Sequence, residues 1–349
     1  MCIRDSNQGG ESFPSEELSV CWQPHSPATV LVINGFDRVS PPEMITQPQF
    51  KGFAPFLDPG VADKYDFNYT GIQFDFDPHS QFRTNDAPGH GASLGNHETQ
   101  IRIGNTFNYP YTHGKAIKSS GYSFVSCSDE AVFDGDIDLT NFRIIDLILG
   151  EEKTFHFKEI NEKYHPYLQI NRNYQAFPPE LQEKLKNYLF QGGNLFVSGA
   201  YVGTDLVGKQ TTTEDDIVFA RDILKIEWQT DHAVATGKFY SVDSLFLKPY
   251  AVFRFNTNSR HDIYTVVSPD AIDPAKEAIT LLRYGENRFG AATGYFGDYS
   301  VIVFGFPFES IIDDTSRAQV MKAVLDLSLI HISEPTRPLY ISYAVFCLK

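Results

Sequence analysis

Apolar residues along this chain follow two periods. Ala28–Ile33 (ATVLVI), Tyr122–Ser126 (YSFVS) and Phe142–Leu149 (FRIIDLIL) are short, nearly unbroken apolar runs, which predict strands buried on both faces. Between Pro179 and Phe190 the apolar positions are Leu181, Leu185, Tyr188 and Leu189, with Gln, Glu and Lys on the other side. That is helical spacing. Gly192 and Gly193 then stop the helix, because glycine reaches the left-handed conformation of a C-cap. Leu195–Val197 predicts a buried strand ending in small residues, Ser198-Gly199-Ala200. Helix, Gly-Gly, strand and small-residue elbow make an α/β crossover unit. Open α/β sheets hold ligands beyond the carboxyl ends of such strands, so Ser198 to Asp205 is the first place to look for a site.

Asp215–Leu224 predicts a second amphipathic helix, with Ile217, Val218, Phe219, Ile223 and Leu224 apolar. Short strands are predicted at Lys238–Tyr240, Ala251–Phe255, Thr265–Val267, Ala278–Tyr284 and Arg288–Tyr295. Gly297-Asp298 turns the chain into a strand over Tyr299–Phe306, and Thr315–Leu327 closes it with a helix. The stretch from Ser40 to Lys115 breaks the pattern, being rich in Phe, Tyr, Pro, Asp, Asn and Gly with little helical period. A loop of that length inside a domain is a functional insertion or carries short structure of its own. Within it, Phe74–Asp77 alternates like a strand, and Gly114–Ser120 predicts a short helix leading into the second strand.

Composition narrows the class. The chain has 349 residues, 42% of them hydrophobic and 14% aromatic, which excludes a disordered protein. A formal net charge of −15, a pI near 5.0 and no Lys/Arg cluster argue against a nucleic-acid partner. No apolar run reaches the length of a membrane span. Met1–Ser6 (MCIRDS) and residues 329–349 resemble translated sequencing-adapter read-through at the ends of metagenomic genes, and are set apart from the fold. Cys2 and Cys347 go with them. Cys21 and Cys127 remain in separate segments, giving neither a disulfide framework nor a cysteine metal site. The chain is expected to be a fragment of a longer protein.

Asn7–Trp22 carries a Gly-Gly turn, Ser-Phe-Pro-Ser-Glu and alternating Leu18 and Val20. It resembles the last turn and strand of a fibronectin type III domain, followed by a Pro-rich linker at 23–27. Over residues 28–328, four features arrive in order. A first strand ends in Asn34-Gly35, and a third strand ends in Gly150. Helix–Gly192-Gly193–strand–Ser198-Gly199 follows, and Gly305-Phe306-Pro307-Phe308-Glu309 precedes the last helix. Together they resemble the class I glutamine amidotransferase-like fold. That resemblance implies an α/β, flavodoxin-like three-layer sandwich with a long insertion (40–115) after strand 1 and a β-rich C-terminal half. More narrowly, Asn34–Pro42, Asn105–Lys115 and Ser198–Asp205 resemble secreted bacterial multidomain proteins labelled xanthan lyase or N-acetylmuramoyl-L-alanine amidase. The resemblance implies an extracytoplasmic location, upstream fibronectin type III and other domains, and polysaccharide or peptidoglycan as partner.

The amidotransferase resemblance also implies a Cys on the elbow with a His-x-Glu downstream. Neither is present: the elbow reads Ser198-Gly199-Ala200-Tyr201, and Pro307-Phe308-Glu309 lacks the His. Ser198 lacks the Gly two residues before it that a Gly-x-Ser-x-Gly elbow requires, Phe196 standing there. The insertion holds the densest polar set, including Asp75, Asp77, His79, Arg83, Asp86, His90, His97, Glu98 and His113. No pair has helical His-x-x-x-His spacing, so neither a metal nor a cofactor is expected. Asp75 and Asp77 share a strand face, which suits paired-carboxylate acid/base work; turn-satisfying loop residues would look the same. Phe107-Asn108-Tyr109-Pro110-Tyr111 sets aromatics beside amides, as sugar binding and a core lid both do.

Two functions follow as expectations. One is a silent amidotransferase-like module that binds glycan or peptidoglycan, with ligand contacts from Arg38, Ser198, Tyr201, Asp205, Asn108 and Tyr111. The alternative is a glycan- or peptidoglycan-directed enzyme whose catalytic groups are Asp75, Asp77, His90 and His113.

Overall fold

The apolar runs pair into one sheet. In chain order its first strands are β1 (Val20–Cys21), β2 (Thr29–Asn34), β3 (Ser123–Ser128), β4 (Ile144–Gly150) and β5 (Asn194–Gly199). A side pair follows, β6 (Ile226–Thr230) with β9 (Ala271–Pro274), and between them run β7 (Lys238–Ser241) and β8 (Val252–Arg254). The last strands are β10 (Ile279–Tyr284), β11 (Gly290–Phe296) and β12 (Ser300–Phe304). Besides a four-residue helical turn at Glu130–Phe133, the α-helices among the described residues are α1 (Tyr109–Ser119), α2 (Pro179–Phe190), α3 (Glu214–Val218) and α4 (Asp314–Ile330). The computed structural model describes residues 18–36, 108–152, 175–208, 212–258, 260, 262–266 and 268–330. It also describes short paired strands at Ser6–Asn7, Gly10–Glu11, Ile45–Gln47, Phe50–Gly52, Phe155–His156 and Asn173–Tyr174.

The main sheet has ten strands in the order β8-β7-β10-β11-β12-β5-β4-β2-β3-β1. Its centre, β3-β2-β4-β5-β12, is parallel throughout. Numbered by their own succession, those five strands run 2-1-3-4-5, the flavodoxin-like order, whose switch point lies between β2 and β4. On one side the sheet continues antiparallel through β11, β10, β7 and β8, the β-rich half expected from the sequence. On the other, Val20–Cys21 pairs antiparallel with β3. The described end of the fibronectin-like stretch therefore completes the α/β sheet.

Each face of the sheet buries its own cluster. Val30, Val32, Ile144, Ile148 and Phe196 pack with Ala116 and Ile117 of α1 and Val320, Met321 and Val324 of α4. Leu31, Ile33, Ile145, Leu147, Leu195 and Val197 pack with Leu181, Leu185 and Leu189 of α2. β4 is buried at all seven positions, which explains why its sequence reads as an unbroken apolar run interrupted only by Asp146. Parallel register sets Asn34, Ile148 and Ser198 in one row at the carboxyl edge, with Val32, Asp146 and Phe196 in the row beneath.

α2 has the bounds that its spacing predicts, and Gly192 caps it at φ +84°. Three elements differ from expectation. α1 begins at Tyr109, inside the stretch read as insertion, because Pro110 occupies the first turn, where its missing N–H costs nothing. The helix expected over Asp215–Leu224 is α3 followed by a widened turn, with Leu224 N–H donating to Phe219 O at 2.9 Å. No strand forms at Thr265–Val266, because the Asn256 side-chain amide donates to the carbonyls of Asn258, Ile263 and Tyr264 and holds the segment as a loop.

α1 lies close enough to β3 that a Cβ on Gly114 would sit 2.1 Å from the Phe124 ring. Alanine in a helix interior is ordinarily about 1 kcal/mol better than glycine. Here Gly114→Ala is expected to destabilise the fold by about 1–3 kcal/mol through overpacking. Urea unfolding of the two proteins checks it; an equal or higher midpoint for the variant would show that α1 stands off the sheet.

Candidate functional site

The inward face of α1 carries Tyr109, His113, Ala116 and Ile117, spaced three and four apart and all buried. His113 is 0% exposed. Its Nδ1–H donates to Asp146 Oδ2 at 2.8 Å and its Nε2–H to Glu309 Oε2 at 3.2 Å. Tyr264 OH donates to the other oxygen of Glu309 at 2.6 Å, and Phe308 meets the imidazole edge-on at 4.7 Å. Burial alone would discharge this ring; Asp146 and Glu309 outweigh that effect and raise its pKa to about 9. At neutral pH His113 is therefore an imidazolium with both N–H groups spoken for. It has no lone pair to act as a base and no exposure to substrate. The pairing makes His113 a charge clamp joining α1, β4 and the turn after β12.

Above the clamp opens a cleft of about 220 Å³ lined by Asn108, Tyr111, Lys115, Asp262, Tyr264 and Arg317, with Glu309 at its floor. Tyr111 is 48% exposed. The charges around the rim are committed to one another. Lys115 and Arg317 both bind Asp314, which holds that carboxyl below its usual range. Arg260 grips Asp262 through Nε (2.9 Å) and Nη2 (2.7 Å). The rim thus presents a half-exposed phenol ring, the Asn108 side chain and ion-paired polar groups. Sequence reasoning singled out Asn108 and Tyr111, and both line this cleft.

The elbow after β5 is built differently. Asp270 Oδ2 accepts the backbone N–H groups of Gly203 (2.7 Å) and Thr204 (2.8 Å), and its Oδ1 accepts Thr204 Oγ1–H and Trp228 Nε1–H (3.2 Å). Burial pushes the carboxyl of Asp270 up to about 7, against the pull of the donors from Thr204, Gly203 and Trp228. This carboxylate pins the first turn beyond the sheet's carboxyl edge. Ser198 is 0% exposed, and among the described residues no base lies within hydrogen-bond reach of its Oγ. Tyr201 and Asp205 are buried, Tyr201 within the apolar core and Asp205 donating its N–H to Tyr201 O at 2.7 Å. The ligand contacts expected from Ser198, Tyr201 and Asp205 are thus not presented to the cleft. A small-residue elbow packs tightly, and its side chains become core.

Arg38, Asp75, Asp77 and His90 lie outside the described residues, as do His79, Arg83, Asp86, His97 and Glu98. Asp146, Glu309, Tyr264 and Asp270 escaped the sequence reading. A signal existed for Asp146, a lone acid in the run Phe142–Leu149, since a charge inside a doubly buried strand demands a partner.

No metal-binding group of three or more His, Cys, Asp or Glu occurs among the described residues, and no helix there is long and apolar enough to cross a membrane. No family model and no curated protein matches the sequence. Among solved structures, the chain is similar to an exo-β-1,4-mannosidase from Opitutaceae bacterium strain TAV5 at 11% identity and TM-score 0.37. That likeness covers 64% of this chain and 31% of the mannosidase, so the chain spans about a third of its length. It is also similar to a glutamine amidotransferase from Thermotoga maritima (12% identity, TM-score 0.34, 63% of this chain and 90% of that one). A third likeness is to a ThuA-like protein from Bacteroides uniformis (9% identity, TM-score 0.35, 61% and 84%). These likenesses carry no residue role or activity to this chain, and its α/β, flavodoxin-like core rests on its own strand order.

Proposed function

We propose that this chain is a non-catalytic glycan- or peptidoglycan-binding module on an amidotransferase-like α/β frame, working outside the cytoplasm beside other domains of a longer protein. The observation that carries it is His113, whose two ring nitrogens are both donated to buried carboxylates beneath the cleft. Among the described residues the carboxylates lining this cleft are already paired, Glu309 with His113 and Tyr264 and Asp314 with Lys115 and Arg317, and Ser198 is buried. The rim is polar, Lys115 and Arg317 sharing Asp314 and Arg260 holding Asp262, and beside it the Tyr111 ring covers a C–H face of a sugar while Asn108 lies within reach of its hydroxyls. The extracytoplasmic setting and the fibronectin-like neighbour rest on the resemblances of Asn7–Trp22, Asn34–Pro42 and Asn105–Lys115.

Calorimetric titration of the full chain with chitooligosaccharides and muropeptides tests this. Saturable binding is expected, weakened about tenfold by Tyr111→Ala and by Asn108→Ala, with ligand recovered intact. Cleaved ligand would replace this reading with the enzymatic one, and loss of that cleavage in Asp75→Ala and Asp77→Ala would place the chemistry in residues 40–115.

A further inference from the structure

The antiparallel extension of the sheet has a buried and an open face. Phe239 pairs with Phe253 and Tyr284, and all three point into the core. The alternating positions face outward: Val252, Tyr240 and Arg283 form one row across β8, β7 and β10, and Arg254 lies beside Lys238 in the next. Lys238, Tyr240, Val252 and Arg283, with Tyr250 and Arg288, line a trough of about 670 Å³ whose lining contains no acidic residue. Tyr250 is 78% exposed and held at φ +63° in the turn before β8, where its ring stacks on Tyr240 at 6.3 Å and 20°. Arg283 Nη1 donates to Arg288 O at 2.7 Å, fixing one guanidinium along the floor. The nearby acids are engaged elsewhere. Glu286 accepts the N–H groups of Ala235 and Thr236 at 3.1 Å, and Asp243 accepts that of Leu245 at 2.7 Å.

Three cations beside two stacked, accessible rings are not what a chain of net charge −15 scatters over its surface at random. We infer that this trough is a second binding site, separate from the α1 cleft, for an acidic polysaccharide. A uronate ring lies on Tyr250, and its carboxylates pair with Arg283, Arg288 and Lys238. Arginine presents a fork that matches a carboxylate in two bonds, and phenol rings accept the C–H face of a sugar. A single-stranded nucleic acid offers rings and anions too, and the oligodeoxythymidine arm of the test separates it from a uronate polymer.

The test is fluorescence anisotropy of the full chain with labelled oligogalacturonate at low and moderate salt, beside dextran oligomers and oligodeoxythymidine. Expected is saturable binding to oligogalacturonate that weakens with salt, with dextran far weaker. The affinity should fall about tenfold in Arg283→Ala/Arg288→Ala and in Tyr250→Ala. Lys238→Gln, whose side chain spans the trough rim, should weaken binding in the same direction without disturbing the Arg283 bond. Lys322→Ala, on the exposed side of α4, should leave the affinity unchanged. Absence of binding, equal binding of dextran, tighter binding of oligodeoxythymidine, or unchanged affinity in the trough variants would each overturn the inference.

Discussion

His113→Leu is expected to cost about 3–5 kcal/mol of unfolding free energy at pH 6.5, because it leaves Asp146 and Glu309 buried without their cation. In a domain of this size that lowers the melting temperature by about 10 °C. The pH dependence is specific. The folded pKa of His113, about 9, stands above its unfolded value of 6.5. The stabilisation is therefore fully present below pH 6.5 and is lost as pH climbs through 9. Over that window the difference between wild type and variant should shrink by about 3 kcal/mol, at roughly 1.4 kcal/mol per unit. Chemical denaturation between pH 6 and 10 measures it. A pH-independent difference would mean that His113 is neutral and merely packed.

Asp270→Ala is the second large effect. It strips the acceptor from two backbone N–H groups, a hydroxyl and an indole at once. Each buried donor left unpaired costs about 1–3 kcal/mol, not additively, so a loss of about 3–5 kcal/mol is expected. Asp270→Asn keeps one acceptor oxygen and should cost about half as much. Trp228 is one of two tryptophans, and Trp22 is exposed, so a change in the emission of Trp228 reports release of the elbow. An unshifted spectrum with unchanged stability would contradict the anchoring role. Asp270 is present in both wild type and His113→Leu, so its titration cancels in the difference between them although it overlaps the start of the His113 window. Its folded pKa of about 7 lies above the ordinary 3.8, so its contribution is full below pH 3.8 and lost as pH rises through 7, before the His113 window closes.

The parallel core was legible because a strand buried on both faces has to be apolar at every position, as β2, β4 and β5 are. α2 was legible because one face meets the sheet and the other water. The site was harder to see for the same physical reason that makes it stable. His113 and Glu309 are 196 residues apart, and nothing in local spacing links the start of a helix to a turn after the last strand. Pro110 disguised that helix as loop. Asn108 and Tyr111 could be found, since an amide beside an exposed ring has a chemistry of its own. Ser198, Tyr201 and Asp205 were drawn to the cleft by their place past β5. Their burial shows that position at a sheet's carboxyl edge nominates a backbone turn, while the outward side chains come from whichever element crosses above it.

The proposed function is glycan binding in a cleft whose floor holds no unpaired base among the described residues. It is tested most directly by incubating the full chain with glutamine, chitooligosaccharides and muropeptides, and following ammonia, cleaved product and bound ligand together. The account predicts saturable ligand binding that Tyr111→Ala weakens about tenfold, with neither ammonia nor product released. Turnover that persists in Tyr111→Ala and disappears in His113→Leu under conditions where that variant remains folded would contradict it.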